Sequence, residues 1–195
     1  MAGDVRDPLV ARDALIGFAT GAVVHTVWLS AFFVTGASTG ILPLLNVNPA
    51  PLMGPQHAVA SVATGSVVTV FASLMNLLLL LGFRKLLRRE WAAIAVATIL
   101  MSAINALAMP VPMLGLPFEL LVNAATFILL ARVGLVAAIA ATLVANQLPN
   151  FPVTWPLTAW YSGIGLLGIA LLGALAIAAF RIATTPARAL RRAEG

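Results

Sequence analysis

There is no cysteine anywhere in the 195 residues. A disulfide framework, a thiolate metal site and a cysteine nucleophile are therefore excluded, although that absence does not fix a compartment. Charge is almost as scarce, since Asp, Glu, Lys and Arg make up 9% of the chain against roughly 25% in soluble domains. Two histidines and six acidic residues leave a small inventory for acid–base or metal chemistry. The patterns that mark particular enzymes are missing too: there is no HExxH pair, no intramembrane Ser–His or di-aspartyl set within reach, no GxGxxG and no Walker loop. No residue is assigned a catalytic role, and no cofactor or metal is expected.

What remains is apolar. A hydrophobic share of 62% and a mean hydropathy of +1.05 indicate an all-α, polytopic integral membrane protein. Apolar segments run over about 14–36, 58–83, 91–109, 117–131, 133–148 and 160–180, most of them near the ~20 residues that carry a helix across a bilayer. The fourth and fifth are short and are separated only by Arg132, Val133 and Gly134. They read either as a tight hairpin of two spans or as one long helix over 117–148.

Charge parity separates these options. With six spans and the amino terminus in the cytoplasm, Arg6, Arg12, Arg84, Lys85, Arg88, Arg89, Arg132, Arg181, Arg188, Arg191 and Arg192 all fall inside. Five spans would put the Arg-rich tail outside, against the positive-inside bias. The expectation is a six-helix transmembrane bundle over 14–180, a cytoplasmic segment 1–13 and a basic cytoplasmic tail 181–195. The formal charge of +5 then reflects orientation and not nucleic-acid binding. A cleaved signal peptide fits poorly, because Asp4, Asp7 and Asp13 flank the first segment and its apolar run exceeds the roughly 7–15 residues of a signal core.

The outer loops differ from the inner ones. Residues 37–57 (ASTGILPLLNVNPAPLMGPQH) have no formally charged side chain and are rich in proline. They read as an interfacial segment or as a lid over a cavity. MPVPMLGLP (109–117) and QLPNFPVTWP (147–156) are likewise read as outer loops, and Trp155, Trp160 and Tyr161 as an aromatic belt.

Polar groups inside the bilayer cost free energy unless they find a partner or water, so they are the candidates for function. They are His25, Asn76 at the end of a stripe with Ser66, Thr69 and Ser73, Asn105 with Ser102 nearby, and Glu119 with Asn123 four residues on. Glu119 is the only acidic side chain away from the cytoplasmic side. It reads either as a proton or cation ligand or, in the first turn of the fourth helix, as a capping charge that offsets the macrodipole; capping is the preferred reading. For His25, donation to a carbonyl on a neighbouring helix is preferred over a proton-relay or ligand role. With the first helix leaving at about Gly36, His25 lies some 11 residues below the outer surface, roughly 16 Å at ~1.5 Å per residue, whereas His57 is at that surface, so a haem clamp between them is excluded. Gly17 and Gly21, in GFATGAVVH, and the ridge Ala170, Ala174 and Ala178 read as seams for close helix packing.

Four stretches carry a resemblance: RDALIGFATGAV (12–23), LLRREWAAIA (86–95), ARVGLVAAIAATLVA (131–145) and FPVTWPLTAWYSG (151–163). In that order they resemble the carboxy-terminal membrane region of multi-span bacterial eukaryote-like serine/threonine protein kinases. The positions that match are Arg12, Asp13, Arg132, Gly134, Leu135, Phe151, Pro152, Thr154, Trp160 and Tyr161, and no catalytic role attaches to them. Pro156 stands where the family usually has an acidic residue, and no glycine-rich loop, HRD-like loop or DFG segment is present. The resemblance implies a bacterial inner-membrane location and a cytoplasmic kinase as partner, either ahead of Met1 in a parent chain or as a separate protein.

Three readings follow. A non-catalytic membrane module that anchors, dimerises or relays a signal to such a partner is preferred. The alternatives are a small transporter or channel using the polar intramembrane residues, and an outer-face lipid-binding protein. Membrane lipids are partners in every case, and a homodimer fits the small-residue seams.

Overall fold

The computed structural model describes residues 7–40, 49–109, 111–151, 158 and 162–184. Every regular element among them is a helix: α1 (Pro8–Thr39), α2 (Pro55–Leu87), α3 (Glu90–Ala106), α4 (Pro112–Arg132), α5 (Leu135–Gln147) and α6 (Ser162–Thr184), with 3-10 turns at Ala50–Met53 and Leu148–Asn150. Of these, α1, α2, α4 and α6 contain stretches long and apolar enough to cross a membrane. The 17 residues of α3 and the 13 of α5 reach only about 26 and 20 Å at ~1.5 Å per residue.

Proline moves three helix starts outward from the positions expected at 14, 58 and 117. Pro8, Pro55 and Pro112 each stand in the first turn, where the missing N–H has no intrahelical partner to lose. Asp7 completes the start of α1 by accepting a hydrogen bond from the Leu9 N–H at 2.9 Å. The third segment is shorter than expected, because α3 ends at Ala106 and the next three residues fold back onto the carbonyls of Ala103, Asn105 and Ala106.

The segment 112–117, expected as an outer loop, is the start of α4, with Pro117 inside the helix. Glu119 is consequently about two turns into α4 and buried, so it cannot cap the first turn. The stretch 117–148 is a hairpin and not one helix. The Val133 and Gly134 N–H groups both return to the Leu129 carbonyl, at 2.9 and 3.1 Å. Gly134 then takes φ 124° and ψ −175°, a conformation essentially reserved for glycine, and α5 begins at the next residue.

Short as it is, α5 is the axis of the bundle. Ala137, Ala138, Ala140, Ala141, Val144 and Gln147 are all buried in it, so small side chains let neighbours in from several sides. Gly17 and Gly21 of α1 lie directly on it, Gly17 against Ala137 and Ala140, and Gly21 against Ala141 and Val144. Sequence numbers rise together across this seam, so α1 and α5 run parallel. On the other side, Gly65 of α2 faces Gln147 and Thr69 meets Asn146, which makes α2 antiparallel to α5. Leu80, Ala93, Ala97, Phe127, Leu130 and Ala138 close a core between α2, α3, α4 and α5.

The last helix packs differently from expectation. Ala170, Ala174 and Ala178 are exposed, and the buried small residues of α6 are Gly165, Gly168 and Ala179. Ala170 is two residues from Gly168, about 200° round the helix at ~3.6 residues per turn, which puts the alanine ridge on the opposite side. Phe151 seats α6 by lying on Gly168. The outward faces of α2 and α6 carry Val67, Phe71, Leu78, Leu167, Ile177 and Phe180, all exposed. Such faces suit acyl chains and not water.

Helix directions gather the described basic residues at one end. Arg12 lies near the start of α1, Arg84 to Arg89 between α2 and α3, and Arg132 at the end of α4. Arg181 is in the last turn of α6, which begins at the other end beside Phe151. Arg84 and Glu90 form an exposed ion pair at 3.2 Å across the α2–α3 turn. Residues 41–48 of the uncharged loop, 152–157 and 159–161, and so Pro152, Thr154, Trp155, Trp160 and Tyr161, lie outside the described residues, as does the Arg-rich tail from 185.

Candidate functional site

At the end of the bundle away from the arginines, α1, α3, α4 and α5 part around a cavity of about 570 Å³. His25, Trp28 and Phe32 of α1 line it on one side, Asn105 of α3 and Glu119 of α4 on another, and Asn146 and Asn150 at the end of α5 on a third. Each helix delivers its polar group for a local reason. On α1 the spacing 25, 28, 32 keeps three rings on one face: His25 and Trp28 have centroids 6.1 Å apart, and Trp28 and Phe32 4.4 Å. The His25 imidazole faces the backbone carbonyl of Ala145.

Glu119 is the centre of a small network. Its Oε2 accepts hydrogen bonds from Asn105 Nδ2 and from Asn123 Nδ2, both at 3.2 Å. Its backbone carbonyl accepts from Ser102 Oγ at 3.0 Å and from Asn123 Nδ2 at 2.9 Å. The carboxylate is thus bound to α3 through its side chain and held to α4 by the residue one turn later, an i, i+4 arrangement that the sequence already shows. Only 4% of Glu119 is exposed, and Asn123 is buried beneath it.

The third wall is tied to α2. Asn146 Nδ2 donates to Thr69 Oγ1 at 3.2 Å, Gln147 Nε2 to the Val62 carbonyl at 3.1 Å, and Asn150 Nδ2 to Gln147 Oε1 at 3.2 Å and the Asn146 carbonyl at 3.1 Å. Behind it lies a second cavity of about 470 Å³, lined among others by His57, Ser61 and Thr64 and sharing Asn146 and Asn150 with the first. His25 and His57 therefore face different cavities.

Of the expected polar candidates, the fold brings His25, Asn105 and Glu119 to one cavity, with Asn123 as support. It does not bring Asn76, which is half-buried farther along α2. The rest of that stripe does not line a path either: Ser66 bonds back to the Val62 carbonyl, Thr69 is buried against Asn146, and the buried Ser73 hydroxyl has no partner among the described residues. Asn146, Asn150, Trp28 and Phe32 were not expected. Their signal was present as two asparagines four apart where the fifth segment runs out, and as two aromatics at helical spacing from His25.

Several residues of the four quoted stretches sit at turns or packing contacts. Gly134 and Leu135 form the α4–α5 turn after Arg132, Phe151 is buried on α6, and Arg12 and Asp13 sit near the start of α1. Among the described residues no three His, Cys, Asp or Glu side chains come together. Compared with protein-family models, with curated proteins and with solved structures, the chain matches none.

Proposed function

We propose that this chain is a non-catalytic, six-span membrane module, its basic end in the cytoplasm, that admits a small polar solute to a cavity at its far end and relays occupancy to a cytoplasmic partner. The observation that carries this is the cavity itself, where an acid, an imidazole and three amides from four helices converge inside an otherwise apolar bundle. The positive-inside bias supports the orientation, since every described Lys and Arg lies at the opposite end. Burial of α5 among other helices supports counting it as a span despite its length, because backbone ends covered by protein need not face lipid. A relay is supported by α1, which lines the cavity and runs unbroken back to the basic end.

By resemblance the partner is a serine/threonine kinase in a bacterial inner membrane. Affinity purification of the chain from membranes of its source cells should bring down phosphate transfer from labelled ATP to serine or threonine. Preparations without such transfer would remove the kinase from this reading.

A transport reading is favoured by one observation, the sharing of Asn146 and Asn150 between the two cavities. The lack of native cysteine makes the choice measurable. In Asn150→Cys, a membrane-impermeant thiol reagent should label from the non-cytoplasmic face only. Labelling from both faces would favour transport, and protection from both would mean that no open cavity exists.

A further inference from the structure

We infer that the cavity beside Glu119 takes a small organic cation with N–H donors, a primary or secondary ammonium; this rests on reading the cavity as a solute site.

Asn105 and Asn146 each commit one side-chain N–H inside the protein, to Glu119 Oε2 and to Thr69 Oγ1, and Asn150 commits its amide nitrogen to Gln147 Oε1 and the Asn146 carbonyl. Their amide oxygens accept no hydrogen bond among the described residues, and neither does Glu119 Oε1. Four side-chain oxygens therefore stand ready on residues that line one cavity, against two uncommitted amide N–H groups, and a complementary ligand is one that supplies chiefly donors.

Charge points the same way. Among the described residues Glu119 is the one acidic side chain lining the cavity, and no Lys or Arg lines it. A buried carboxylate held by two amide N–H groups at 3.2 Å has no ion-pair partner among the described residues, and a cation is the partner that offsets its desolvation most directly. An anionic solute would meet repulsion there.

The α1 wall selects among cations. His25, Trp28 and Phe32 present aromatic surface to the same space, and ring faces attract an ammonium within about 6 Å. A bare divalent ion wants about six to eight oxygens drawn in close, whereas this space is of the size that holds an organic molecule.

Calorimetry on the chain in lipid nanodiscs can compare three molecules of one shape: benzylammonium, benzyl alcohol and benzoate. Benzylammonium should bind saturably and at least tenfold more tightly than either of the others, and Glu119→Gln should weaken it at least tenfold. Equal binding of benzyl alcohol or benzoate would overturn the inference, as would no saturable binding of benzylammonium to the unsubstituted chain. If benzylammonium fails while Asn150→Cys labels from the non-cytoplasmic face, the ligand class falls and the cavity reading stands. If labelling fails as well, both fall.

Discussion

Replacing Gly21 by leucine should prevent α1 from seating on α5 and should give the largest loss of stability of any single substitution in the bundle. A Cβ at Gly21 would run into the Ala141 backbone carbonyl and come within 2.9 Å of the Val144 Cβ; at Gly17 it would meet the Ala137 carbonyl and lie 2.7 Å from the Ala140 Cβ. The obstacles are mostly backbone or β-carbons of a central helix, and neither can swing aside as a long side chain can. Between helices in lipid the association rests on close packing, so a gap opened here is not recovered by hydrophobic burial. Gly21→Ala should cost about 1–3 kcal/mol, the usual range for overpacking, and Gly21→Leu should leave little folded protein. Unfolding by SDS in mixed micelles reads both. Gly82→Ala is the control, because a Cβ there meets nothing within 4 Å and alanine is the better helix former by about 1 kcal/mol. Equal losses at Gly21 and Gly82 would show that glycine content, and not the α1–α5 seam, sets the stability.

The seam was legible in GFATGAVVH because GxxxG spacing names a face without naming its partner. That partner, the alanine-rich face of α5, needed coordinates. In α6 the ridge Ala170, Ala174 and Ala178 has the spacing but meets no helix among the described residues, because Gly168 lies against Phe151 and the ridge faces outward. Small-residue ridges are frequent in helices rich in Gly and Ala, so spacing alone does not rank them. All-helical character and the apolar segments followed from hydropathy, which needs no tertiary information. Boundaries failed mainly where a helix uses proline as its start: Pro55 and Pro112 stand in stretches read as outer loops, and Pro8 in the segment read as preceding the first span. Half of the candidate site, His25, Asn105 and Glu119, was visible as polar residues in apolar runs. Asn146 and Asn150 were hidden because they fall where α5 gives way to the Leu148–Asn150 turn. There polarity is ordinary and carries no signal until the turn is seen to line a cavity.

Glu119→Leu separates the observed network from the terminal cap that the sequence suggested. A carboxylate in an exposed first turn is worth about 0.3–1 kcal/mol through the macrodipole, so its loss from a cap would be modest. In the observed setting, leucine removes the shared acceptor of Asn105 Nδ2 and Asn123 Nδ2. Asn123 retains its bond to the Glu119 carbonyl, whereas the Asn105 amide loses its one partner in the bundle. Asn105 is only half-buried and lines the cavity, so orphaning its donor falls toward the low end of about 1–3 kcal/mol, and a total loss of roughly 1–3 kcal/mol is expected in SDS-induced unfolding. Glu119→Gln keeps an acceptor oxygen in the same place and should lose less than about 1 kcal/mol while weakening cation binding, so stability and binding part company in that variant. Coupling decides the rest. If the network is real, Asn105→Leu added to Glu119→Leu should cost less than the sum of the single changes, because the second substitution removes the donor that the first left unpaired. Strict additivity, with Glu119→Leu costing no more than a cap, would return Glu119 to a terminal role and leave the cavity without its charge.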